Sequence, residues 1–131
     1  MKKTLIDSGP LIALFDKDDR FHRSALAFIE NFKGILITSW PVITEVLHML
    51  DFNVTVQMNF LKWIERGALS IKSLSDAQIP RLIELSEKYS DIPMDLADAT
   101  MILISELEGI DEIITIDSDF YVYRNIRNKY L

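Results

Sequence analysis

Lys2-Lys3-Thr4-Leu5-Ile6-Asp7-Ser8-Gly9-Pro10-Leu11 is the stretch whose reading decides the fold. Lys2 to Asp7 reads as a short β-strand that ends in an acid. Ser8-Gly9-Pro10 turns the chain, and Pro10 suits the first turn of a helix over Leu11 to Phe15. Strand, acid, tight turn, helix is how α/β proteins present a carboxylate at the C-terminal edge of a parallel sheet, where ligands bind. Asp7 also has a plainer use, as the cap of the helix that follows.

Outward from this unit the same alternation repeats. Lys17 to Lys33 predicts a helix with Phe21, Ala25, Phe28, Ile29 and Phe32 on one face, stopped by Gly34. Ile35-Leu36-Ile37-Thr38 is an apolar strand of the kind found in a sheet covered on both faces. Thr38 or Ser39 caps a third helix, Val42 to Leu50, with Pro41 near its start. Asn53 to Arg66 continues as helix to Gly67, Ala68-Leu69-Ser70-Ile71 is a short strand, and Ser75-Asp76 opens a helix through Tyr89. Pro93-Met94-Asp95-Leu96-Ala97-Asp98-Ala99-Thr100 leads into a helix over Asp95 to Glu108. That helix is apolar round nearly its whole circumference and is expected to be buried. Glu112 to Asp117 is a strand, again ending in an acid, and the basic, aromatic segment Tyr121 to Leu131 offers a final edge strand.

Strands near 3–7, 35–38, 69–72 and 112–116, separated by helices, give an α/β parallel sheet of four to five strands with helices on both faces. No linker or repeat divides the chain, so a single domain over 1–131 is expected. The balance of 49% hydrophobic and 26% charged residues is that of a globular domain. No apolar run has the length of a membrane span, and the N-terminus lacks the apolar core of a signal peptide, so a cytoplasmic protein is expected. Without cysteine there is neither a disulfide nor a thiolate zinc site, and His22 and His48 are too few for a histidine-rich metal site.

A net charge of −6 argues at first against a polyanionic partner. Of 20 acids, however, Asp7, Glu45, Asp95, Asp98, Asp117 and Asp119 fall in the motifs, leaving 14 against 14 lysines and arginines. If those six surround metal ions, the remaining surface is about neutral, and a phosphate substrate is not excluded. Asp7 and Asp117 end strands that share one edge in a parallel sheet, and Asp98 opens a helix. Glu45 borders the apolar arc of Val42, Ile43, Val46, Leu47, Met49 and Leu50. Plain readings stand beside these: Asp95 as an N-cap, Asp98 as a complement to the helix dipole, Glu45 snorkelling at the core border, and His48 on the surface. A pair of carboxylates at about 4 Å costs on the order of 4 kcal/mol at an effective dielectric near 20, so a cluster of four needs protons or metal ions. Oxygen-only donors select Mg²⁺ or Mn²⁺, and metal-dependent phosphodiester hydrolysis suits that chemistry.

The same residues carry a resemblance. Leu5-Ile6-Asp7-Ser8-Gly9-Pro10-Leu11-Ile12-Ala13-Leu14-Phe15, then Thr44-Glu45, then Met94-Asp95-Leu96-Ala97-Asp98-Ala99, then Thr115-Ile116-Asp117-Ser118-Asp119-Phe120 resembles a PIN domain in order and across the whole chain. It is most similar to the small bacterial and archaeal PIN proteins that include VapC-type toxins. The resemblance implies a metal-dependent ribonuclease acting on single-stranded or structured RNA. It assigns Asp7, Glu45, Asp98 and Asp117 to Mg²⁺ or Mn²⁺, and Thr115 to orienting a water or a carboxylate. It gives Asp95 and Asp119 supporting roles around the metal, and places Ser8 where a small polar residue is common. It further implies a homodimer and an antitoxin that sets a basic side chain among the acids. Lys17, Arg20, Arg23, Arg124, Arg127 and Lys129 could contact phosphates or simply form solvated surface.

Two rival readings remain from the sequence. A non-catalytic PIN-fold module would bind RNA or protein without cleavage. A haloacid-dehalogenase-like phosphatase would use Asp7 as nucleophile with a second acid two residues on. Gly9 stands at that place, and Asp117 and Asp119 have the spacing at the wrong end of the chain.

Overall fold

The computed structural model describes residues 1–91, 94–116 and, as backbone, 127–130. Among these, five strands form one sheet: β1 (Lys3–Ile6), β2 (Ile35–Ser39), β3 (Ser70–Lys72), β4 (Glu112–Thr115) and β5 (Arg127–Tyr130). Their order is β3-β2-β1-β4-β5, and every neighbouring pair is parallel. The helices are α1 (Ser8–Phe15), α2 (His22–Asn31), α3 (Trp40–Met49), α4 (Val54–Glu65), α5 (Ile79–Lys88) and α6 (Leu96–Glu108). Parallel neighbours need crossovers, and helices supply them.

The chain lays β2 and β3 outward from β1, then returns to place β4 on the other side of β1. The winding therefore reverses between β1 and β4, and the crevice at the carboxyl ends of those two strands is the place where such sheets bind ligands. Leu5 lies opposite Ile113 and Ile6 opposite Ile114, so Asp7 and Thr115 follow level with one another. The Asp7 N–H donates to the Ile114 carbonyl at 3.0 Å. Thr4, Leu5 and Ile6 are all buried, as are Leu36, Ile37 and Thr38, which is why these strands lack alternation. Leu11, Val42, Phe60, Met101 and Ile104 close the core over them.

Two elements begin later than the sequence predicts. The second helix starts at His22 rather than Lys17. Asp16 and Asp19 accept hydrogen bonds from the N–H groups of Asp18 and Phe21, and these local turns occupy the segment. α6 starts at Leu96, with Asp95 outside it as the cap. Its middle, Ala99 to Ser105, is buried as expected. α3, α5 and β2 pack against the helix, while Leu96 and Leu107, near its two ends, are 55% and 59% exposed. Gly109, at φ 66°, ends it in the left-handed conformation.

α5 is fastened to α6 by Arg81, whose Nε and Nη2 donate to the two carboxylate oxygens of Glu106 at 2.9 and 2.6 Å. The hydrogen bonds from Arg81 hold the Glu106 carboxyl below its ordinary value of 4.5. A depressed carboxyl stabilises the fold above its unfolded value and loses that contribution as pH falls through the folded one. Both side chains are partly exposed, so Glu106→Gln is expected to cost about 1 kcal/mol or less at pH 7. Urea unfolding of both proteins should show the difference vanishing once the pH is well below 4.5.

Candidate active site

Asp7 occupies the N-cap position of α1 with extended backbone, φ −87° and ψ 172°, yet its side chain makes no capping bond. The carboxylate is not committed to the helix. It is 5% exposed, and its Oδ2 accepts a hydrogen bond at 3.3 Å from Thr115 Oγ1 at the end of β4. Gly9 lets α1 lie close against that strand end: a Cβ on Gly9 would stand 2.6 Å from Ile116 Cγ1. The first acid is thus held at the point where the sheet changes direction.

Glu45 lies in the second turn of α3, which packs against α1. It is half-buried, and its Oε1 accepts from Ser8 Oγ at 2.5 Å. The border position on the helix therefore turns this glutamate toward the residue beside Asp7 rather than out along the surface. Two buried hydroxyls join α3 to α6. Ser39 caps α3 by accepting from the Val42 N–H at 3.4 Å, and its Oγ pairs with Thr100 Oγ1 at 2.8 Å. Thr100 in turn donates to the Ala97 carbonyl at 2.8 Å. Thr38, just before, donates to the Ile6 carbonyl at 3.1 Å and ties β2 to β1.

At the mouth of α6, Asp95 accepts from the Asp98 N–H at 2.8 Å and is exposed. The capping use of Asp95 is what the structure contains. Asp98 is half-buried in the first turn. Asp95 and Glu45 line one open cleft of about 530 Å³ together with Trp40, Leu96 and His48. His48 is exposed, in keeping with a surface residue, and stands on the cleft's side. Asp117 and Asp119 lie outside the described residues, as does Arg124. Lys17, Arg20 and Arg23 are exposed, and Arg20 sits over the Phe21 ring at 4.8 Å.

Among the described residues no three Asp, Glu or His side chains group closely enough to hold a metal ion by themselves. The donor atoms on the expected acids are all oxygens: Asp7, held by Thr115, Glu45, held by Ser8, and Asp98. Hard oxygen donors at a sheet's ligand-binding edge fit Mg²⁺ or Mn²⁺ and not a soft metal. The sequence did not reveal the Ser8–Glu45 bond, the Ser39–Thr100 pair or the place of Trp40. Trp40 carried the one available signal: it directly follows a predicted strand and its cap, so it must emerge at the same sheet edge.

Residues 4–126 match the PIN domain. Ribonuclease VapC26 of Mycobacterium tuberculosis (strain ATCC 25618 / H37Rv) is 24% identical over 115 residues, covering 86% of this chain and 85% of that protein. The crystal structure of M. tuberculosis VapC20, described as a sarcin–ricin loop cleaving toxin, has a TM-score of 0.82 at 15% identity, over 92% of this chain and 95% of that one. A toxin–antitoxin complex from Klebsiella pneumoniae has a TM-score of 0.70 at 21% identity, over 95% of each chain. VapBC2 of Rickettsia felis, bound to a DNA fragment from its promoter, has a TM-score of 0.67 at 11% identity, over 98% of each. These structural likenesses carry the fold, and the match of the family across most of the chain sets the phosphatase reading aside. The chain belongs to the PIN domain family, and within it resembles the VapC proteins.

Proposed function

We propose that this protein is a metal-dependent endoribonuclease, the toxin of a toxin–antitoxin pair. The observation that carries the proposal is the buried Asp7 carboxylate, left out of helix capping and tied to Thr115 at the sheet's switch point. The name of the relative VapC26, a ribonuclease, and the toxin–antitoxin neighbours support the reaction class and a protein inhibitor as partner.

Asp7, Glu45, Asp98 and Asp117 hold Mg²⁺ or Mn²⁺ in this proposal. When bound, such an ion supplies positive charge beside a phosphodiester and makes water a better nucleophile at neutral pH. The chain's own residues set the carboxylates in place. Thr115 fixes the orientation of Asp7, and Ser8 draws Glu45 toward α1. The Ser39–Thr100 pair sets α3, which carries Glu45, against α6, which carries Asp98. Asp95 stiffens the first turn of α6, and Asp119 is proposed in a supporting role around the same metal. The cytoplasm is the compartment proposed with it.

Purified protein incubated with total RNA and with tRNA should give discrete products with Mn²⁺ or Mg²⁺ and none with EDTA. Folded, metal-loaded protein that leaves every RNA whole would instead favour a non-catalytic binding module. A homodimer is proposed as well. Sedimentation at a mass of 15.1 kDa rather than twice that value would overturn it.

A further inference from the structure

We propose that the apolar cavity beside the acid cleft is a nucleobase pocket, in which an unpaired base of the RNA stacks on Trp40. This rests on the ribonuclease proposal and names the part of the substrate that the site grips. The cavity, about 420 Å³, lies between the start of α3, the β3–α5 connection and α6. Trp40, Leu74, Leu96 and Leu103 supply apolar wall, and Lys72, Ser73 and Gln78 supply polar groups. A nucleobase has the same division, with apolar faces and hydrogen-bonding edges. Unpaired bases are the parts of RNA that proteins read by stacking on aromatic side chains and by hydrogen bonds to the base edge.

Two observations favour a base over a segment of protein. The pocket adjoins the acid cleft: Trp40, Pro41 and Leu96 line both. A strand that seats a base in the pocket carries its sugar–phosphate backbone past Glu45 and Asp95 in the neighbouring cleft. Trp40 itself is 55% exposed, although its neighbours Thr38, Ser39, Val42 and Ile43 are buried. A large indole left in water at the first position of α3, on the sheet edge that carries Asp7, is available for stacking. Sequence-tolerant stacking of this kind contributes substantially to single-strand binding.

The test uses the full chain with Asp98→Asn, so that RNA stays whole, and measures binding of single-stranded oligo(A) RNA in Mg²⁺. A ribose–phosphate oligomer of the same length without bases is the second probe. Trp40→Ala should weaken oligo(A) binding about tenfold to a hundredfold and leave the abasic oligomer unaffected. Trp40→Phe should restore most of the loss. Equal effects on both probes, or no effect on either, would overturn the pocket. A Trp40→Ala protein that sediments as a monomer where the parent is a dimer, with RNA binding unchanged, would assign the cavity to a second copy of the chain. A parallel cleavage assay with Asp98 intact separates the two proposals. Cleavage without base-dependent binding fails the pocket alone, base-dependent binding without cleavage fails the nuclease alone, and absence of RNA binding overturns the pocket whatever the cleavage result.

Discussion

Asp7→Asn should leave a folded protein whose RNA cleavage falls by roughly 10³-fold or more, at least the loss that follows removal of one transition-state charge contact. The amide keeps the volume of the carboxyl, and its oxygen can still accept from Thr115 Oγ1, so the buried hydroxyl at the end of β4 keeps a partner. The missing quantity is one negative charge. That charge is costly where acids converge without a cation and useful where a cation is present. Two readouts therefore move in opposite directions. Without metal, the melting temperature of Asp7→Asn should equal or exceed that of the wild type. With Mn²⁺, the wild type should gain stability by mass action and the variant should gain much less. Cleavage within a few-fold of wild type, or an equal Mn²⁺-induced rise in melting temperature, would remove Asp7 from the site.

Asp7 was legible before any coordinates because everything that defines it is local. A short apolar run, an acid, a glycine and a proline fall within ten residues, and β1 and α1 form there. The parallel α/β class followed from the alternation of such units, and β5 from the basic terminal segment. The start of α2 was hidden by local competition, since Asp16 and Asp19 bond their own backbone, a preference that apolar periodicity does not register. The strand order and the contacts that assemble the site are of another kind. Ser8 and Glu45 are 37 residues apart, and Ser39 and Thr100 are 61 apart. Such pairs are set by how α3 and α6 pack across the sheet edge, and no single segment contains that information. Glu45 shows the consequence: a helical projection placed it at a border and left its direction open, and the packing of α1 on α3 decided it.

Phe60→Ala should have the opposite signature to Asp7→Asn, a large loss of stability with cleavage retained. Phe60 is fully buried. Its ring meets Phe15 edge-on at 5.4 Å between centroids, and Trp63 lies 6.4 Å away. Truncation removes most of a large apolar side chain and leaves a cavity between α4 and the end of α1, for a cost of about 3–5 kcal/mol. A domain of this size has about 5–15 kcal/mol in all, so the melting temperature should fall by about 10–20 °C. The damage falls at Phe15, the C-terminal end of α1. The other end of α1 is fastened independently, by the Asp7 N–H to the Ile114 carbonyl and by Ser8 to Glu45. Below its melting transition, the variant should therefore cleave RNA at close to the wild-type rate and keep the Mn²⁺-induced rise in melting temperature. A collapse of cleavage in fully folded Phe60→Ala would mean that α1 transmits packing at Phe15 to the carboxylate at its start. In that case the strand end and its hydrogen bonds would not fix Asp7 alone, and the core beneath α4 would be part of what positions the acids.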